Sequence, residues 1–118
     1  GLGYIGSKFI SLYESQYKLK ILDTNYFANN EPINSTHEVL IKDIRDLELS
    51  DIKNVDYVLH LSELSNDPLG NINSNLTNEI NVLGTKKLTD LCKKSNVQNI
   101  IYISSCSVYG KTQENNVE

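Results

Sequence analysis

The chain has 118 residues, 39% of them hydrophobic and 22% charged, with a formal net charge of −4. Such an acidic balance offers no basic surface for nucleic acid, and no apolar run approaches the ~20 residues a membrane-spanning helix needs. Two cysteines, Cys92 and Cys106, with no framework around them, point to a reduced, cytoplasmic protein rather than one stapled by disulfides.

The first six residues, Gly1-Leu2-Gly3-Tyr4-Ile5-Gly6, spell G-x-G-x-x-G. In a dinucleotide-binding fold this loop joins the first strand to the first helix, its glycines allowing a tight turn and a close approach to a pyrophosphate. From Gly6 to Tyr17, Phe9, Ile10, Leu12 and Tyr13 form a helical face. Lys18 to Asp23 is a short strand ending at an acid, and His37 to Lys42 a further strand after a polar stretch. Asp46 to Asn54 is expected to cross back as a short helix or turn. Val55 to Ser62 reads as a buried strand, Asn73 to Ser95 as the longest helical segment, and Gln98 to Ser105 as a strand. The apolar row Ile100-Ile101-Tyr102-Ile103 places that last strand in the middle of a parallel sheet.

Strands alternating with helices define an α/β fold, a doubly wound parallel sheet of the Rossmann type. Residues 1–118 read as one partial dinucleotide-binding domain, truncated at both ends, with the substrate domain absent. The strand that should feed the glycine loop is missing, and in the order 3-2-1-4-5-6 it would lie at the sheet centre. Its neighbours would then lack partners for their inward backbone groups, so the piece alone is expected to fold poorly.

Asp23 stands at the C-terminal end of its strand, where a carboxylate accepts hydrogen bonds from the adenosine ribose. The residues that follow, Thr24-Asn25-Tyr26-Phe27-Ala28-Asn29, include no Arg or Lys to neutralise a 2′-phosphate. This favours NAD over NADP.

These motifs and four more downstream resemble the N-terminal part of the extended short-chain dehydrogenase/reductases, of the NAD-dependent sugar-nucleotide epimerase/dehydratase type. Gly1-Leu2-Gly3-Tyr4-Ile5-Gly6-Ser7 resembles the back of the family's T-G-G-x-G-Y-I-G-S loop. Lys42-Asp43-Ile44-Arg45-Asp46 resembles G-D-I-R-D, His60-Leu61-Ser62 resembles H-L-A, Asn81-Val82-Leu83-Gly84-Thr85 resembles N-V-x-G-T, and Ser104-Ser105-Cys106-Ser107-Val108-Tyr109-Gly110 resembles S-S-x-S-V-Y-G. The resemblance implies that Gly1, Gly3, Tyr4, Ile5, Gly6, Asp23 and Asn25 bind the cofactor NAD. It further implies that Asp43 and Ile44 flank the adenine, that Leu61 and Ser62 run beside the nicotinamide-side ribose and pyrophosphate, and that Asn81 lies behind the active site.

The hydroxyl four residues before the tyrosine of V-Y-G is the family's catalytic one, here Ser105. The base would be the tyrosine of a Tyr-x-x-x-Lys pair beyond Glu118, its pKa lowered by the lysine. Tyr109 is not that base, because no lysine stands four positions later. Without the family setting, Ser105 reads as a turn-capping hydroxyl, His60 as a packed strand-end histidine, Asn81 as a helix-surface amide, and Lys86-Lys87 as a solvated helix face. Lys42 and Glu63 depart from the family pattern, which has Gly and a small residue there. A Glu63 carboxylate turned inward would repel the pyrophosphate, so it is expected to face solvent.

Elimination of water needs a proton donor within the catalytic loop, and Cys106 and Ser107 supply no carboxylic acid. This favours an epimerase acting on a nucleotide sugar over a dehydratase. The alternatives are a non-catalytic NAD-binding module and an inactive piece. The resemblance also implies a homodimer paired through helices that include Asn73 to Ser95.

Overall fold

The computed structural model describes residues 1–26, 37–64 and 73–105. Helix α1 (Tyr4–Tyr13) leads into strand β1 (Lys20–Asp23), which pairs in parallel with β2 (Glu38–Ile41). Two 3-10 turns, Ile44–Asp46 and Leu49–Ile52, carry the chain back to β3 (Tyr57–His60). A continuous helical stretch follows, made of α2 (Ser74–Thr77), a π-helical segment (Asn78–Gly84) and α3 (Thr85–Lys94). It ends before β4 (Asn99–Tyr102), which pairs in parallel with β3.

The strands form two separate two-stranded sheets, β1–β2 and β3–β4. In the order 3-2-1-4-5-6 these four are the second to fifth strands, and the interval between β1 and β3 is the place of the first. Among the described residues no strand fills it.

One core joins the two sheets. Ile44, Leu47, Ile52, Leu88 and Cys92 are its buried centre, with Leu22 of β1, Val58 of β3 and Ile100 of β4 packed against it. Val58 and Ile100 are register partners, so both point to the face that α3 covers. Leu88 and Cys92 are one helical turn apart, which puts both on the buried side of α3.

The opposite face is less covered. Ile101 is 55% exposed and Ile103 45%, so among the described residues the apolar row of β4 is covered on one side. A strand in the middle of a parallel sheet needs neighbours on both edges and layers on both faces. Among the described residues β4 has β3 alone beside it.

Helix α1 buries Gly6 but leaves Leu12 54% exposed. Its ring contacts are local: Phe9 meets Tyr13 with centroids 4.9 Å apart.

Candidate dinucleotide-binding site

The glycine loop and the end of β1 lock together. The Leu2 N–H donates to Asp23 Oδ2 at 2.7 Å. Ser7 Oγ donates back to the Leu2 carbonyl at 3.0 Å, and the Ser7 N–H bonds to the Gly3 carbonyl at 2.8 Å, closing the first turn of α1.

Two of the glycines are required by space. A Cβ on Gly1 would lie 2.8 Å from Ile21 Cγ2 and 2.9 Å from the Leu22 carbonyl, while one on Gly6 would run into the Gly1 carbonyl. Around Gly3 a Cβ would meet nothing within 4 Å. That open side lies at the helix N-terminus, where Gly3 is the cap and offers no side-chain acceptor. The first-turn amides of α1 therefore have no intrahelical partner, and with the helix dipole they favour an anion. Tyr4 and Ile5, 90% and 57% exposed, flank the same turn. A pyrophosphate suits this donor set and this opening.

Burial works to raise the Asp23 carboxyl, and backbone hydrogen bonds from the Leu2 N–H and the Asn25 N–H work to lower it. Asn25 N–H reaches Oδ1 at 2.7 Å with its own φ at 63°, a left-handed turn that Asn tolerates well. An ionised carboxylate accepts about four hydrogen bonds, so Oδ1 keeps capacity for a ribose hydroxyl.

On the next loop Asp43 caps the first 3-10 turn and takes a two-pronged bond from Arg45, Nε to Oδ1 at 3.0 Å and Nη2 to Oδ2 at 2.8 Å. The guanidinium holds the Asp43 carboxyl low, against the opposing effect of its partial burial. Ile44 sits in the core at 5% exposure, against Gly84, where an added Cβ would come 2.8 Å from Ile44 Cγ2. Lys42, unusual for its motif, has a structural reason. Its Nζ bonds Asp51 Oδ2 at 2.7 Å, and that carboxylate also accepts the Glu48 N–H, so the end of β2 is tied to the second 3-10 turn.

At the end of β3, His60 is 3% exposed, with Nε2 2.7 Å from Thr85 Oγ1 and Nδ1 3.4 Å from the Ser62 N–H. Burial pushes the imidazole below its usual value, with Glu63 acting weakly the other way, so it is neutral at pH 7. It is the packed strand-end histidine that the sequence suggested. Leu61 and Ser62 are half-buried on the loop that follows. Asn81 clamps this loop: its Oδ1 accepts the Leu64 N–H at 2.9 Å and its Nδ2 donates to the Leu64 carbonyl at 3.2 Å.

Ser105 lies exposed just beyond the C-terminal end of β4, beside the end of β3 that leads to Ser62, while Asp23 closes β1 of the other pair. Cys106, Ser107 and Tyr109 fall outside the described residues.

Glu63 is half-buried rather than fully turned to solvent, and the Tyr102 hydroxyl donates to its Oε1 at 2.5 Å. Lys87 lies exposed on its helix face, as expected, and its Nζ donates to the Arg45 carbonyl at 2.5 Å. Arg45 also bonds Glu79 Oε2 at 3.0 Å and so bridges the Asp43 turn to the π-helical segment. Arg45, Thr85 and Tyr102 are thus site-building residues that the sequence reading passed over. The signal available was their position inside or beside recognised motifs, not their spacing.

Comparison with known proteins agrees with this geometry. The model of the NAD dependent epimerase/dehydratase family matches residues 1–118, and the chain belongs to that family. A protein of Methanocaldococcus jannaschii provisionally named UDP-glucose 4-epimerase is 34% identical over 116 residues, covering 94% of this chain and 38% of its own length. Among solved structures, a UDP-N-acetylglucosamine 4-epimerase from Methanobrevibacter ruminantium superposes with a TM-score of 0.90 at 28% identity, over 99% of this chain and 39% of that one. An NAD-dependent NDP-hexosamine 5,6-dehydratase of tunicamycin biosynthesis gives 0.85 at 27%, over all of this chain and 39% of that one. The chain therefore spans well under half the length of these relatives.

Proposed function

We propose that this chain is the NAD-binding part of an epimerase that acts on a nucleotide-activated sugar, with the sugar-binding domain supplied elsewhere in the whole protein. The observation that carries the reading is the interlock of the glycine loop with the Asp23 carboxylate at the open N-terminus of α1. NAD, when bound, accepts and returns a hydride.

The residues of this chain bind and orient. The first-turn amides at Tyr4, Ile5 and Gly6 take the pyrophosphate, and Asp23 with Asn25 takes the adenosine ribose. The Asp43 turn, pinned by Arg45, and the backbone at Ile44 border the adenine, while Leu61 and Ser62 border the far ribose. Asn81 holds the loop that carries them. Ser105 hydrogen-bonds the sugar hydroxyl at the reacting carbon. Tyr102 is no substitute base, because its bond to Glu63 raises its hydroxyl pKa, and a base needs the opposite shift.

Epimerisation is favoured over dehydration by the absence of an acid at positions 106 and 107. A cytoplasmic homodimer fits this reading: Cys92 is a free buried thiol, and Val82 and Leu83 are 57% and 52% exposed on the helical stretch that would pair.

The test is to incubate the whole protein with NAD and UDP-glucose or UDP-N-acetylglucosamine and to follow the sugar ring protons by NMR. The 4-epimer is expected, with Ser105→Ala slowing its formation by roughly a hundredfold or more. Bound NAD with no altered sugar would replace this reading by that of a non-catalytic binding module.

A further inference from the structure

Glu63 sits three residues beyond the end of β3, on the loop that borders the interval between β1 and β3. In open α/β sheets a dinucleotide crosses the C-terminal edge at that switch point. A carboxylate there opposes a pyrophosphate, since unit charges of like sign about 6 Å apart repel appreciably at the effective dielectric of a protein surface.

The structure shows where this charge goes. Tyr102 is the register partner of His60, so both side chains stand on the face covered by α3, and their rings lie 5.4 Å apart. His60 is fixed there by Thr85. The Tyr102 hydroxyl, held on that face, donates to Glu63 Oε1. The bond spans two neighbouring strand ends and links residues far apart in sequence. It ties the carboxylate to a side chain that stands on the helix-covered face.

We infer that Tyr102 is a positioning residue for the dinucleotide site: its hydroxyl holds the Glu63 carboxylate off the path of the pyrophosphate. The inference rests on the NAD-binding reading above. It assigns to Tyr102 a role in affinity and none in chemistry.

The experiment is equilibrium titration of NAD into the whole protein as wild type, Tyr102→Phe, Glu63→Gln and the double variant, at low and high salt. Tyr102→Phe is expected to weaken NAD about three- to tenfold at low salt and less at high salt, where charges are screened. In the double variant affinity is expected to return to within about twofold of wild type, because the freed side chain no longer carries charge. Unchanged binding in Tyr102→Phe, or a double variant as weak as the single one, overturns the inference; the latter would make the bond a structural tie only. Failure of the wild type to bind NAD is a different result, and it removes the NAD-binding reading itself.

Discussion

Asp23 and His60 show how environment sets the state of a single residue. Asp23 accepts from two backbone amides, those of Leu2 and Asn25, at the mouth of the glycine loop. His60 is buried with a neutral hydroxyl as its partner, and desolvation lowers its affinity for a proton. In the unfolded chain the imidazole titrates near 6.5, and in the folded one below it. The unfolded state thus binds the extra proton more readily, so stability is full above about pH 6.5 and falls as pH drops through and below that value. Thermal unfolding followed from pH 7.5 to 5.5 is expected to show this loss in the wild type and to lack it in His60→Gln. The Gln amide can still meet Thr85 and does not titrate. The sequence showed where Asp23, Ser105 and the glycines fall, because motif spacing encodes backbone position. It did not show that Glu63 reaches Tyr102 or that Arg45 joins Asp43 to Glu79, because those contacts depend on side chains from segments far apart in the chain.

At the scale of elements, the helical stretch from Ser74 to Lys94 is the instructive case. Its apolar spacing of three to five residues marked a single helix, and one continuous helical rod is what forms. The spacing could not show that Asn78 to Gly84 winds as a π-helix, because wider winding moves the apolar positions by only a fraction of a turn. This segment carries both Asn81, which clamps Leu64, and Gly84, which packs on Ile44. π-Helical turns gather at functional sites, and here the wide turn presents the Asn81 amide to the loop after β3. Gly84 has ordinary helical φ and ψ, so its substitution is a matter of space alone. Gly84→Ala gains helix propensity but drives a methyl against Ile44, and the net cost is expected to be about 1–3 kcal/mol of stability. Chemical denaturation checks this. The strand boundaries were read one to three residues too long at every end but the last of β1, since side-chain pattern continues past the last ladder hydrogen bond.

Across the described residues, the two parallel pairs follow the strand order that the sequence predicted. Leu22, Val58 and Ile100 reach one core from both pairs, so α3 and the two 3-10 turns join the pairs through it. That core is small, and the sheet face opposite α3 keeps Ile101 and Ile103 half exposed. In the proposed reading the glycine loop, Asp23, Ser62 and Ser105 serve one site, with Asp23 and the glycine loop at the end of β1 and the two serines beyond β3 and β4. The central claim is that this site binds NAD, with Asp23 facing the adenosine ribose. It is tested most directly by calorimetric titration of the whole protein with NAD and, separately, with NADP. A 2′-phosphate would meet the ionised Asp23 with no Arg or Lys between residues 24 and 29 to offset it. NAD is expected to bind at least about tenfold more tightly than NADP. Equal or tighter binding of NADP, or no binding of either, would contradict the account.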